Sequence, residues 1–144
     1  MEDRVQKALS LFDNNFNCAQ SVIGAFCGDY GMDESLALKL VSGFGGGLRC
    51  GEVCGAVTGA AMVIGLKYGQ DTAGDLKAKE KCNLMVSDFM ERYQKLQKSV
   101  LCRELLGYDI RDAEARKQFP GRQKEVCSNA IKTAVLLLED ILGN

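Results

Sequence analysis

The sequence contains no histidine and no tryptophan among its 144 residues, and its only proline is Pro120. The absence of histidine excludes nucleophilic catalysis by Cys–His or Ser–His–Asp groups, and it excludes histidine-ligated metals. A single proline is typical of a mostly helical chain, because proline interrupts helices. The missing residue types therefore narrow both the chemistry and the fold.

An excess of basic charge and a long apolar run are also missing. Eighteen Lys and Arg residues stand against 19 Asp and Glu residues, which gives a net charge of −1 and no footprint for nucleic acid. The longest strongly apolar stretch, GAAMVIGL, is too short to cross a bilayer, and the start MEDRVQKALSLF has no signal-peptide core. We expect a cytoplasmic protein that neither binds nucleic acid nor inserts into a membrane.

Cysteine, in contrast, is abundant, with seven residues. A reducing compartment does not keep cysteines for structural disulfides, and an odd number cannot all be paired within one chain. Core packing, metal ligation and redox chemistry remain as uses for these thiols.

Apolar residues recur at helical spacing along the whole chain, and no segment alternates with a period of two. This pattern predicts an all-α fold, a bundle of five to seven helices in a single domain over residues 1–144. The predicted helices cover residues 2–12, 18–27, 34–43, 53–68 and 74–100, with a short turn at 102–107 and a final helix after Pro120–Gly121. Asn15 or Asn17 is expected to cap the second helix, and Asp33 the third.

The seven cysteines differ in their positions within these helices. Cys82 lies on an apolar stripe in mid-helix and Cys27 near a helix end, so we expect both to pack in the core. Four other cysteines lie within the first turn or two of a predicted helix, after a glycine, an asparagine or a loop: Cys18, Cys54, Cys102 and Cys127. A helix N-terminus carries about half a positive charge and can lower a thiol pKa by up to about one unit.

Two arginines and a fifth cysteine lie next to these positions. Arg49 adjoins Cys50 and Arg103 adjoins Cys102, so each is expected to favour a thiolate. Cys50 and Cys54 form a C-x3-C pair that would share one face of a regular helix.

The stretch GFGGGLRCG has two compatible interpretations, and it matches neither nucleotide-binding fingerprint. Its three consecutive glycines, Gly45, Gly46 and Gly47, can turn the chain sharply. Alternatively, the bare backbone amides of these three glycines can form an anion-binding concavity beside the thiols. Further along, Gly55 and Gly59 are four residues apart and predict a smooth strip on which another helix packs closely.

Four segments together resemble the C_GCAxxG_C_C (CGAxxG) family of small proteins to which redox activity is attributed. They are FNCAQSV, SGFGGGLRCGEVCGAVTGA, CRELLG and the late cysteine before an amphipathic C-terminal helix. The resemblance implies an all-α fold of about this length and four characteristic cysteines, which we assign to Cys18, Cys54, Cys102 and Cys127. Cys50 competes with Cys18 for the first of these positions.

The leading hypothesis is a thiol/disulfide redox protein, with a possible activity as a thiol-disulfide oxidoreductase. Cys54 would be the attacking thiolate and Cys102, or Cys50, the resolving thiol. Arg49, Arg103 and the glycine amides would stabilise the negative sulfur. The reaction partner would be another redox protein or a small molecule, and the sequence identifies no cofactor for this reaction.

Two other hypotheses remain open. Four thiolates from Cys18, Cys54, Cys102 and Cys127 would suit zinc or an iron–sulfur cluster, as in bundle proteins that assemble a site from separate helices. Alternatively, the protein is a structural or partner-binding helical protein whose cysteines only pack.

Overall fold

The computed structural model of the protein describes residues 3–143. Within that range the chain is almost entirely helical, with no β-strand and one isolated antiparallel bridge between Val53 and Leu101. The helices are α1 (Arg4–Asp13), α2 (Cys18–Phe26), α3 (Glu34–Leu40), α4 (Gly55–Tyr68), α5 (Leu76–Gln97), α6 (Cys102–Leu106), α7 (Ala113–Gln118) and α8 (Arg122–Leu142). Six of these eight α-helices have seven residues or more, which agrees with the expected five to seven.

Side chains placed before the helices explain why most of them begin where they do. Asn17 caps α2 through a reciprocal pair of hydrogen bonds with Gln20, and the carboxylate of Asp33 caps α3. Each cap satisfies backbone N–H groups that have no partner within the first helical turn. Of the two asparagines proposed for α2, Asn17 is the cap, and Asp33 is the predicted cap of α3.

Helices α2 and α4 form the centre of the core. A Cβ atom on Gly59 would lie 2.9 Å from the carbonyl oxygen of Ala19, and one on Gly55 would lie 3.0 Å from the Ala19 amide nitrogen. Glycine therefore lets the two backbones touch, as the spacing of these residues predicted. Helices α1, α5 and α8 pack around this pair and bury large side chains such as Phe26, Phe89 and Leu138.

The bounds of several helices differ from the predicted ones: α3 ends at Leu40 rather than at residue 43, and α4 begins at Gly55 rather than at residue 53. Helix α5 begins at Leu76 and ends at Gln97, several residues inside the predicted limits of 74–100. Helix α7 was not predicted at all, because it buries none of its residues and has no apolar stripe. Its start is fixed instead by the Asp112 carboxylate, which accepts hydrogen bonds from Glu114 and Ala115.

The glycine-rich segment between α3 and α4 is a tight left-handed turn. Gly46, Gly47, Leu48 and Arg49 all have φ between 58° and 64°. Gly45, which was expected to share this conformation, is extended with φ −68°. A side chain at Gly47 would overlap the backbone of Glu52, so glycine is required there on steric grounds as well.

The described helices include none that is long and apolar enough to cross a membrane.

Candidate functional site

Four cysteines from four separate helices line one cavity of about 570 Å³. Cys18 is the first residue of α2 and Cys102 the first residue of α6, while Cys54 immediately precedes α4. Cys127 lies in the second turn of α8. The fold therefore brings together thiols that are up to 109 positions apart in the chain (127 − 18).

The start of α2 is held in place by polar side chains. The Asn17 amide donates a hydrogen bond to the carbonyl oxygen of Ser42, and the Gln20 amide donates to the carbonyl oxygen of Leu38. Gln20 also closes the cap by accepting from the backbone N–H of Asn17. These bonds tie the first turn of α2 to the segment that follows α3, so the position of Cys18 is set by neighbours on both sides.

Close backbone packing places Cys54 beside Cys18. A Cβ atom on Gly55 would lie 3.2 Å from the Cβ atom of Cys18, which leaves no room for any larger residue without movement. The start of α4 therefore lies directly against the start of α2. The glycine after Cys54 is what allows the two thiols to share a cavity wall.

A short backbone bridge places Cys102 next to Cys54. The N–H of Cys54 donates to the carbonyl oxygen of Val100 at 2.8 Å, and the N–H of Cys102 donates to the carbonyl oxygen of Glu52 at 2.7 Å. The bridged pair between them is Val53 and Leu101. These hydrogen bonds fix the starts of α4 and α6 side by side.

Helix α8 forms the fourth wall and carries Cys127. Near its start, Arg122 donates a hydrogen bond to the carbonyl oxygen of Leu106, which joins α8 to the end of α6. At the rim of the cavity, the ammonium group of Lys124 lies 3.9 Å from the carboxylate of Asp13 at the end of α1. Both side chains are largely exposed, so this pair contributes little stability but marks the mouth of the cavity.

The thiols of Cys18 and Cys127 face one cavity and affect each other's ionisation. Hydrogen bonding with Cys18 lowers the pKa of Cys127, although partial burial opposes the effect. The same interaction, followed by burial, raises the pKa of Cys18 well above its ordinary value. Of these two thiols, Cys127 is therefore the one that ionises more readily.

Cys54 was expected to have a lowered pKa, and the structure corrects that expectation. The side chain is only 6% exposed, and burial raises its pKa. The Tyr93 hydroxyl donates to its sulfur at 3.9 Å, and together with the nearby backbone N–H groups of Ala56 and Val57 it opposes this rise without overcoming it. Desolvation outweighs the helix terminus because it can shift a buried group by several units, whereas the helix end contributes about one.

Burial acts on Cys102 in the same direction. It raises the pKa of Cys102 to about 12, and the neighbouring charges of Cys54, Cys127 and Asp109 add to the rise. Among the four thiols that line the cavity, Cys127 alone has a lowered pKa.

The two arginines do not lie where the sequence suggested. Arg103 donates to Glu52 at 3.0 Å and to the carbonyl oxygen of Gly51, so its charge is held by the segment before α4. Arg49 is exposed on the left-handed turn, and neither arginine lines the cavity. Burial, rather than a neighbouring guanidinium, dominates the ionisation of Cys102.

Cys50 and two of the three glycines also lie outside the cavity. The sulfur of Cys50 is 3.5 Å from the carbonyl oxygen of Gly47, within its own turn, and Cys50 does not line the cavity. Gly46 is the one member of the glycine triplet that does, whereas Gly45 packs against Asn17. The segment is thus mainly a turn, and the expected C-x3-C face is broken by the left-handed backbone.

Cys27 and Cys82 have the packing role that their positions indicated. Cys27 is 1% exposed within the main core, and Cys82 is half-buried against it.

A metal site is not supported by the geometry. In the part of the chain from Asp3 to Gly143, no three Cys, Asp or Glu side chains are arranged to hold a metal ion. All seven cysteines are free thiols in this structure.

Tyr93 is the functional-site residue that sequence reasoning missed. It lies on the buried face of α5, and burial is its main structural property. No sequence signal indicated that its hydroxyl would reach Cys54, because that contact joins residues 39 positions apart.

The fold and the site together define an all-α protein with four cysteines gathered around a cavity. The model of a family described as "Putative redox-active protein (C_GCAxxG_C_C)" matches residues 16–141. The chain belongs to this family, and the matched region contains all four cysteines that line the cavity. Neither the curated proteins nor the solved structures gave a match.

Proposed function

We propose that the protein is a thiol/disulfide redox protein in which Cys127 is the attacking thiolate and Cys18 the resolving thiol. The observation that carries this proposal is that both thiols line one cavity, where their interaction lowers the pKa of Cys127 and raises that of Cys18. An attacking thiol needs a substantial thiolate fraction and access to its substrate. Cys127 combines a lowered pKa with partial exposure, whereas the other three cavity thiols are buried.

The pairing of Cys18 with Cys127 replaces the pairing expected from the sequence. Attack by the Cys127 thiolate on an oxidised sulfur gives a mixed disulfide, and a second thiol must then displace the substrate. Cys18 lines the same cavity as Cys127, and its raised pKa keeps it protonated until that step. It therefore suits the resolving role better than Cys50, which lies outside the cavity.

Cys54 and Cys102 are proposed as a second dithiol behind the first. The backbone bridge around Val53 and Leu101 holds them side by side, and both line the cavity. Their raised pKa values make them slow nucleophiles, so they would exchange with a Cys18–Cys127 disulfide rather than meet the substrate first. The proposal also includes a reducing, cytoplasmic compartment, in which dithiols of this kind are regenerated.

A disulfide map of the oxidised protein tests the assignment. Reduced protein is treated with diamide, and the remaining thiols are alkylated after denaturation and mapped by mass spectrometry. We expect a Cys18–Cys127 disulfide first, with Cys27 and Cys82 recovered as alkylated thiols, and full reversal by dithiothreitol. Failure to form any intramolecular disulfide would favour the hypothesis that the cysteines only pack. Stoichiometric zinc or iron in anaerobically purified protein would favour the metal hypothesis instead.

A further inference from the structure

Access to the thiols restricts the size of the reaction partner. Cys18, Cys54 and Cys102 are each 6–7% exposed, so the route to them runs through the cavity. The cavity volume of about 570 Å³ falls in the range of about 300–1,000 Å³ that is typical of small-molecule sites. Cys127, the attacking thiol, is half-buried in the wall of the same cavity, so a disulfide within a folded protein would have to bring its own backbone into this space to reach it.

The wall of the cavity restricts the polarity of the reaction partner. Apolar side chains dominate it: Phe12, Phe16, Leu105, Leu106, Ile110 and Val126. The charged residues among its described lining are Asp13 and Lys124, which lie at the rim and pair with each other. An anionic ligand would therefore lose water without gaining an unpaired cation inside.

We propose that the cavity binds an uncharged, largely apolar organic disulfide of low molecular mass, and that this is the substrate class of the Cys18–Cys127 pair. The inference rests on the redox function proposed above. Apolar side chains hold the body of the molecule, and the disulfide faces the sulfur of Cys127. The neutral side chains of Asn15 and Gln123 at the mouth provide hydrogen-bonding groups without charge.

The reaction is a two-step exchange. The Cys127 thiolate attacks one sulfur of RS–SR, a Cys127–S–SR bond forms, and the first RS⁻ leaves and takes up a proton. Cys18 then gives up its proton and attacks the sulfur of Cys127, so that the second RS⁻ leaves and is protonated in turn. Two electrons and two protons pass from the two thiols to the substrate, which gives a Cys18–Cys127 disulfide and two RSH.

Three oxidants of different charge and size test the substrate class on the reduced, full-length protein. They are 2,2′-dithiodipyridine, which is neutral and aromatic, oxidised glutathione, which is charged, and insulin as a protein disulfide. Each rate constant is divided by the rate of N-acetylcysteine with the same oxidant, which removes differences in intrinsic reactivity. We expect the normalised rate for the neutral disulfide to exceed that for oxidised glutathione by about tenfold or more. The reason is that burying the charges of oxidised glutathione in the cavity is unfavourable. Equal normalised rates, or a preference for insulin, would overturn the proposal.

Two variants test the cavity itself. Leu105→Trp fills the apolar space and should slow 2,2′-dithiodipyridine much more than iodoacetamide, a smaller neutral reagent for the same thiol. Gln123→Arg adds a cation at the mouth and should raise the ratio of the oxidised glutathione rate to the iodoacetamide rate. Gln123 is half-buried at the rim, so Gln123→Arg should fold and can be measured even if Leu105→Trp does not fold. Unchanged ratios in a folded variant contradict the proposed site.

The two proposals fail in distinguishable ways. If diamide forms no intramolecular disulfide, the redox function itself is wrong, and if it forms another disulfide in place of Cys18–Cys127, the proposed attacking pair is wrong. If the disulfide forms but the neutral and charged oxidants react alike after normalisation, the function stands and the substrate class is wrong.

Discussion

Cys18, in the first turn of α2, and Cys127, in the second turn of α8, line the same cavity. The two residues are brought together by tertiary packing of helices that are far apart in the chain. Their interaction makes the two thiols unequal, because it raises the pKa of Cys18 and lowers that of Cys127. An unequal pair is what a thiol exchange reaction needs, since one thiol attacks and the other resolves.

Replacing Cys18 should make Cys127 less reactive. Cys18→Ala removes the S–H donor and leaves burial as the remaining influence, so the pKa of Cys127 should rise above its ordinary value. Each unit of rise lowers the thiolate fraction, and hence the alkylation rate near neutral pH, about tenfold. The measurement is the pH dependence of iodoacetamide labelling at Cys127, followed by mass spectrometry.

Two further variants control this prediction. Cys18→Ser keeps a hydroxyl donor and should preserve part of the lowered pKa. Cys82→Ala removes a thiol that packs on α5 outside the cavity and should leave the profile unchanged. An alkylation profile of Cys127 that is the same in wild type and Cys18→Ala would show that the hydrogen bond does not control its ionisation.

The buried thiols should make the fold sensitive to alkaline pH. The pKa of Cys102 is raised to about 12, whereas an unfolded thiol titrates near 8.5. Above that value the unfolded state releases a proton that the folded state retains, so the free energy of unfolding falls as pH rises. The slope is about 1.4 kcal/mol per pH unit for this thiol, and Cys18 and Cys54 act in the same direction. Cys127 does not share this effect, because its pKa in the folded state is lowered rather than raised.

Urea unfolding under reducing conditions measures this effect. Between about pH 8 and about pH 10.5 the wild type should lose roughly 2 kcal/mol more than Cys102→Ala, since the variant lacks one retained proton. A control at neutral pH gives the packing cost of the substitution itself. Equal losses in the two proteins would mean that Cys102 ionises normally in the folded state.

The sequence was a good guide to helix starts but a poor guide to ionisation. Asn17 and Asp33 cap α2 and α3 through local hydrogen bonds, and local chemistry is visible in a sequence. Cys54 also lies where it was placed, directly before α4. Its pKa depends instead on burial by helices that are distant in the chain, and desolvation is larger than the helix-end effect.

Helix-start position and the family resemblance both selected the four cysteines that line one cavity, whereas spacing along the chain did not. Cys50 and Cys54 are close in sequence, yet the left-handed turn separates Cys50 from the cavity. Cys18 and Cys127 are far apart in sequence, yet both line the cavity. Pairing of thiols is a tertiary property, so it could not be read from the distances between cysteines along the chain.

The left-handed turn should be strained at Arg49, which has φ 59° although it is not glycine. A residue with a side chain in this conformation costs roughly 1–2 kcal/mol of stability, and glycine removes that cost. Glycine also gives the unfolded chain more conformational freedom, which offsets part of the gain. Because the Arg49 side chain is exposed, Arg49→Gly should raise the free energy of unfolding by up to about 1 kcal/mol. Glu91→Gly, within α5, should lower it by about 1 kcal/mol.

The Arg49→Gly variant also tests the prediction from the sequence that Arg49 activates a thiol. Arg49 does not line the cavity, so the alkylation rate of Cys127 should be the same in Arg49→Gly as in wild type. A large fall in that rate would show that Arg49 does contribute to the reactivity of Cys127. A destabilised Arg49→Gly protein would mean that the turn is held by contacts of the guanidinium rather than strained.

The glycines of α4 should differ sharply in their tolerance of alanine. A Cβ atom on Gly59 would lie 2.9 Å from the carbonyl oxygen of Ala19, so Gly59→Ala must push α4 away from α2. Overpacking against a backbone typically costs about 1–3 kcal/mol, which exceeds the gain of about 1 kcal/mol from better helix propensity. Gly65→Ala lies on the same helix with nothing within 4 Å of the new atom, and it should stabilise the protein by up to about 1 kcal/mol.

Gly55→Ala extends this comparison from stability to the redox pair. Its Cβ atom would lie 3.2 Å from that of Cys18, at the point where α4 meets the start of α2. Displacing Cys18 should weaken its hydrogen bond to Cys127, so the pKa of Cys127 should rise and its alkylation near neutral pH should slow. Gly65→Ala, which leaves this contact intact, should alkylate at the wild-type rate. If Gly55→Ala folds and Cys127 reacts as fast as in wild type, then the close approach of α4 to α2 does not set the geometry of the thiol pair.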